Sequence, residues 1–329
     1  MKKTCLLLLL TAFLLPLPAI TLKFASPLPE GTEWDLALRQ MADDWAEITG
    51  GAVRLRIYAG GIAGEQSDVI RKMRIGQLDM AVLTSLGLAN IVPDSFVMTM
   101  PLYLRSEEEL DFVIREIAPG FDEAFLAKGF TMLGWSKSGW VKFFSKEKLV
   151  YPEDLRTMKF SASTEEPEMI SAFKEMGFNV IPLNMNSLLM GLQSGMVEAF
   201  YASPMASASY QWFGIADRML DLNIAPILGG VIISSRSWER IPERYRGALK
   251  ESLARMTRDF YRKTQTLETR AMTVMKANGL VVQEAPADAA ERWRQVLGED
   301  YGNLVGDGRL IPREVFQSFD ARIREFRSR

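Results

Sequence analysis

A chain of 329 residues, 48% hydrophobic and 24% charged, is long enough for two globular domains and too evenly balanced for a disordered or fibrous protein. It contains no histidine, which excludes Ser-His-Asp and Cys-His catalysis and every metal site built on imidazole. A formal net charge of -2 offers no surplus of cations to a phosphate backbone, so no nucleic-acid partner is expected.

The first nineteen positions read as an export signal. Lys2 and Lys3 precede an apolar run from Cys5 to Leu15, followed by Pro16, Leu17, Pro18 and Ala19. The run is too short to span a bilayer. Leu17 would occupy the −3 position of a cut after Ala19, where a small residue is preferred, so retention as an anchor stays open. Cys5, the only cysteine, precedes most of the apolar run and is too early for lipid attachment.

Beyond Ala19 the pattern alternates between periods of two and 3.6. Thr21 to Ala25 predicts a strand, Asp35 to Ile48 an amphipathic helix, and Val53 to Tyr58 (VRLRIY) a half-buried strand. Gly64 to Ile75 predicts a helix with Val69, Ile70, Met73 and Ile75 inward, and Asp79 to Thr84 a short buried strand. This βαβαβ order implies a largely parallel sheet covered by helices, with ligands at the carboxyl ends of the strands. Further strand-like pieces at Thr131–Trp135, Trp140–Ser145, Met158–Ala162, Phe178–Ile181, Met196–Tyr201 and Gly230–Ser234 are too many for one lobe. Two α/β lobes of about 150 residues each accommodate them.

From Pro242 to Asn278, Tyr245, Leu249, Leu253, Met256, Phe260, Leu267, Ala271 and Val274 recur at helical spacing. Pro242 suits the first turn, and Gly279 suits the position past the end. One helix of this length exceeds the width of a lobe and should lie across both; a break near Lys263–Thr266 is the alternative.

The glycine-rich stretch Gly60-Gly61-Ile62-Ala63-Gly64 matches neither GxGxxG nor GxxxxGK[ST] and reads as a turn. Acidic runs at Glu107–Glu109 and Glu165-Glu166 read as helix starts or solvated faces. No enzyme, cofactor or metal centre is expected.

Several segments in one order carry a resemblance. Leu22-Lys23-Phe24, Leu28-Pro29-Glu30, Gly64-Glu65, Gly76-Gln77-Leu78-Asp79-Met80-Ala81 and Pro101-Leu102-Tyr103-Leu104 are followed by Pro152-Glu153-Asp154-Leu155-Arg156-Thr157-Met158-Lys159 and Leu192-Gln193-Ser194-Gly195-Met196-Val197-Glu198. Together they resemble the DctP-type substrate-binding proteins of TRAP transporters over nearly the whole exported chain. The resemblance implies a two-lobed α/β periplasmic solute-binding fold with strand crossovers, a long helix bracing both lobes, and a small solute held between them. On that basis residues 1–19 are the signal, 20–138 with 227–266 lobe I, and 139–226 with 267–329 lobe II. The implied partners are the TRAP membrane subunits, with a helical-repeat protein as a further candidate.

Where relatives place an arginine that grips a ligand carboxylate in two-pronged fashion, this chain has Ser161, and a hydroxyl cannot imitate a guanidinium fork. A second basic contact of the family falls on Val141, with Lys142 one position away. A polar stretch is replaced by Ala199-Phe200-Tyr201-Ala202-Ser203-Pro204, and acidic and tyrosine positions by Ser187 and Leu189. The concerted change points to a hydrophobic or amphipathic ligand. The candidate contacts are Trp34, Thr84, Ser85, Trp140, Lys142, Ser161, Met185, Leu189 and Tyr201. Phe200 alternates with Tyr201, so only one of the two is expected to face the cleft. Met190, Met205 and Asn90 are further candidates, and Arg105 is expected to face solvent. Two alternatives stay open: a carboxylate held by Lys142, and a sensor or scaffold role without transport.

Overall fold

The structure, a computed structural model, describes residues 19–164, 167–296 and 301–329; the expected export signal, apart from its last residue Ala19, and the acidic pair Glu165-Glu166 lie outside these. Among the described residues ten strands occur: β1 (Ile20–Ala25), β2 (Val53–Tyr58), β3 (Met80–Thr84), β4 (Phe130–Ser145), β5 (Lys159–Ser163), β6 (Asn179–Leu183), β7 (Ala199–Ala202), β8 (Arg218–Asp221), β9 (Ala225–Ser234) and β10 (Val281–Glu284). They form one curled sheet in the order β2-β1-β3-β9-β4-β7-β5-β6, with β8 between β4 and β10. The architecture is the expected two-lobed α/β one.

In the first lobe β1 pairs parallel with β2 and β3, as the βαβαβ reading requires, and β9 then adds antiparallel to β3. In the second, β5 pairs parallel with β6 and β7. The two segments expected at Thr131–Trp135 and Trp140–Ser145 are one strand of sixteen residues, β4. It pairs with β9 as far as Val141 and with β7 from Lys142 onward, so β4 and β9 carry the chain between lobes. Its register shifts between Met132 and Gly134 and between Lys137 and Trp140, and Gly139 has φ +99°. Bulges of this kind re-aim the side chains beyond them. The short strands β8 and β10 carry no clear alternation in sequence; their mutual parallel pairing stabilises them.

The helix Glu33–Ile48 begins at Thr32, whose hydroxyl accepts from the Asp35 amide at 3.4 Å. Leu38, Met41 and Trp45 recur at helical spacing and are fully buried against Leu22 and Phe24. The helix Gln66–Arg74 buries Val69, Ile70 and Met73, but Ile75 falls past its end and is exposed.

The helix Glu243–Ala277 is unbroken over 35 residues, about 52 Å at 1.5 Å per residue. Leu249 and Leu253 enter the first-lobe core with Phe24 and Trp45. Met275 enters the second-lobe core with Phe144, Phe200 and Trp212. Val274, expected inward, is exposed: Met275 lies 22 residues after Leu253, close to six turns, and so returns to the buried face. The terminal helix Arg313–Arg327 braces the molecule a second time. Its Phe326 stacks on Phe112 at 4.6 Å, and Phe319 packs on Tyr103 at 5.3 Å. No helix among the described residues is long and apolar enough to cross a membrane, and none of their acidic or sulfur side chains form a metal-binding group.

Candidate ligand-binding cleft

A cavity of about 380 Å³ lies where the carboxyl ends of β3, β5 and β7 face one another across β4 and β9. The first lobe contributes Gln66, Thr84, Ser85, Phe96, Thr99 and Pro101, and the crossing strands add Val141, Phe143 and the run from Ile224 to Leu228. The second lobe contributes Ser161, Met169, Phe173, Asn184, Met185, Tyr201 and Ser203, among others. None of the described lining residues carries a charge.

Ser161 is buried in the centre of the second lobe, in register with Ile181 on β6 and Phe200 on β7. Its hydroxyl makes no hydrogen bond to any described residue and borders the cavity. Tyr201 lies beside it in an aromatic wall, its ring 5.5 Å from Phe160 and 5.9 Å from Phe173. Phe200 also borders the cavity while stacking on Phe144 at 5.1 Å, so β7 presents both residues rather than one. On the opposite wall the Thr84 amide donates to Gln66 Oε1 at 2.9 Å, and Gln66 Nε2 donates to Thr84 Oγ1 at 2.9 Å. A Cβ on Gly87 would stand 2.1 Å from that Gln66 oxygen, so glycine there leaves room for the amide.

Thr84, Ser85, Ser161, Met185 and Tyr201 are therefore brought together. Trp34, Trp140, Lys142 and Leu189 are not. Trp34 packs on Phe260 of the long helix with ring centroids 3.7 Å apart. Lys142 pairs with Asp221 at 2.8 Å, because strand alternation turns Val141 and Phe143 toward the cleft and their neighbour away. Leu189 packs in the second-lobe core, while Leu188 borders the cavity. Met190, Met205 and Asn90 do not line it, and Arg105, exposed as expected, borders a different cavity.

Trp140 sits beyond the Lys137–Trp140 bulge, which points its ring beneath the long helix. Its indole donates to Glu107 Oε1 at 2.5 Å. Glu107 also accepts from Lys137 Nζ at 2.9 Å and from the Tyr261 hydroxyl. Burial pushes the Glu107 carboxyl up, but the hydrogen bonds from Tyr261, Lys137 and Trp140 outweigh it and hold the group below its ordinary range. Nearby Glu268 is pushed up by burial, against the pull of Lys142.

Gln66, Phe96, Thr99 and the Ile224–Leu228 run were not legible as cleft residues. Pro101 was visible only within a motif, and Ala225–Leu228 precede the part of β9 with clear strand character.

The family model for bacterial extracellular solute-binding protein, family 7 (DctP), matches residues 24–306. A solute-binding protein of Chromohalobacter salexigens is 25% identical over 224 residues, which span 66% of this chain and 65% of that protein. Among solved structures, a TRAP periplasmic solute binding protein of Chromohalobacter salexigens with bound D-glucuronate superposes with a TM-score of 0.82 at 20% identity, covering 92% of this chain and 99% of that one. Another, from Desulfovibrio salexigens with bound orotic acid, gives 0.81 at 16% identity, covering 93% and 97%. The family model covers most of the chain, and the chain belongs to the DctP family of TRAP-type extracellular solute-binding proteins.

Proposed function

We propose that this protein is the periplasmic component of a TRAP-type secondary transporter and captures a hydrophobic or amphipathic molecule for delivery to the integral membrane subunits. The observation that carries this reading is the lack of any charged side chain among the described lining residues, with Ser161 at its centre. A carboxylate enclosed there would lose its hydration without gaining a cation, a cost of several kcal/mol. Apolar surface enclosed in the same place contributes about 25 cal/mol per Å². The scattered hydroxyls and the Gln66 amide suit one or two neutral polar groups on such a ligand. The named structural neighbours hold acids; here none of the described lining residues offers an acid a cationic partner.

Within this reading the lobes comprise 20–138 with 227–266, and 139–226 with 267–329, dividing β4 at Gly139. Residues 1–19 direct export. Solvent extraction of the purified protein, followed by mass spectrometry, should release a molecule with a predominantly apolar skeleton. An empty cleft that binds D-glucuronate tightly in calorimetry would overturn the proposal.

A further inference from the structure

A second cavity, of about 700 Å³, lies between the Leu102–Arg105 segment, the helix Ala289–Val296 and the terminal helix. It shares no described lining residue with the cleft. Tyr103, Tyr301 and Phe316 form one wall, each ring centroid within 5.6 to 5.8 Å of the other two. Four guanidiniums line it, those of Arg105, Arg294, Arg324 and Arg327, against the carboxylates of Glu291 and Asp320.

The neutralisation is uneven. Asp320 accepts from the Tyr103 hydroxyl at 2.5 Å and pairs with Arg324 at 2.8 Å. Glu291 pairs with Arg294 at 3.4 Å. Arg327 is held from behind by Glu109, through bonds of 2.8 and 3.0 Å, and donates to the Tyr103 carbonyl. Arg105 is exposed, and its side chain makes no hydrogen bond or ion pair with any described residue. Among the described residues, the guanidinium left without a carboxylate is that of Arg105, beside an aromatic face.

The backbone is shaped around this place at some cost. Among the described residues only Leu102, Gln211 and Tyr301 are non-glycine residues with positive φ, and two of the three, at 59° each, line this cavity. A side chain in that conformation is disfavoured unless the surroundings impose it, and such outliers concentrate at ligand clamps. Burial pushes the Tyr301 phenol up to about 12 even against the pull of Arg294, Arg105 and Arg327, so the hydroxyl stays protonated as a donor at neutral pH.

We propose that this cavity is an accessory site for a small aromatic oxyanion, a ring bearing a carboxylate or phosphate, with the ring against Tyr103, Tyr301 and Phe316 and the oxyanion on Arg105. The site is independent of what occupies the cleft. Its charge distinguishes it from the cleft: guanidiniums line it, whereas the described residues of the cleft are uncharged.

Fluorine NMR titrations of 4-fluorobenzoate and 4-fluorophenyl phosphate into the full chain test it, with 4-fluorophenol as the uncharged control. At least one of the two anions should bind, and whichever binds more tightly identifies the oxyanion. Arg105→Gln should weaken it about tenfold, the loss of one charge-assisted contact. Arg105→Lys should recover part of the loss, and the phenol should show no saturable binding. Equal affinity for wild type and Arg105→Gln, no binding of either anion, or equally tight binding of the phenol would each overturn the proposal. Since Arg105 is exposed, its substitution leaves the fold intact. The cleft reading is judged separately by the copurifying molecule, so either can fail alone.

Discussion

Ser161 occupies a buried position whose chemistry depends on one side chain. Replacing it by arginine would put a guanidinium into a cavity with no described counter-ion. Ser161→Arg should weaken the apolar ligand by about a hundredfold and introduce measurable affinity for D-glucuronate, both readable by calorimetry. Unchanged ligand affinity would place the solute away from Ser161. Glu107 offers a prediction in pH. Its folded-state value lies below the ordinary 4.5, so its stabilisation is present above that value and is lost as pH falls through the lower folded one. Glu107→Gln removes this titration, and denaturant melts should show a shallower acid limb than the parent below about pH 4.5. Identical limbs would mean that Tyr261, Lys137 and Trp140 do not hold the carboxylate. At this scale Ser161 was legible as a cleft residue through the family resemblance, which implies a ligand contact on the strand after the linker, and it does line the cavity. Trp140 was not legible, because it lies at a bulge that changes which face a side chain meets, while Lys142 is turned away by the alternation that brings Val141 and Phe143 to the cleft.

The elements themselves were largely readable. The alternation in β2 and the recurring apolar residues of Glu243–Ala277 are properties of neighbours in the chain. The long helix has a consequence for stability: Leu253 is fully buried against the first-lobe core, and Leu253→Ala should cost about 2–5 kcal/mol in urea unfolding. A loss near zero would mean that the helix is not docked there. The joint in β4 is equally specific. Gly139 has φ +99°, and a Cβ would stand 2.9 Å from Glu268 Oε2. Gly139→Ala should destabilise by roughly 1–2 kcal/mol, and Gly120→Ala, with open space and ordinary φ, should not. Equal effects of the two would remove the special role of the joint. The expectation of two separate strands missed this continuity because Gly139 interrupts the alternation, while long-range pairing with β9 and β7 restores it.

For the whole molecule, two strands and one long helix run between lobes that each contribute a wall of the cleft. Solute binding should therefore raise the melting temperature with ligand concentration and reduce the radius of gyration. Small-angle scattering with the extracted ligand at saturation checks the second expectation, and an unchanged radius would mean a rigid cleft. The sequence alone determined the alternation of strands and helices and the helical periodicity from Pro242 to Asn278, because these rest on spacing along the chain, whereas the missing cation at Ser161 is what the family resemblance implies. Only the tertiary structure decided which residues meet: Gln66 with Thr84, Trp140 with Glu107, Arg105 beside three rings. Such meetings join residues far apart in the chain, and a one-residue change of register or a bulge reverses them without altering local composition.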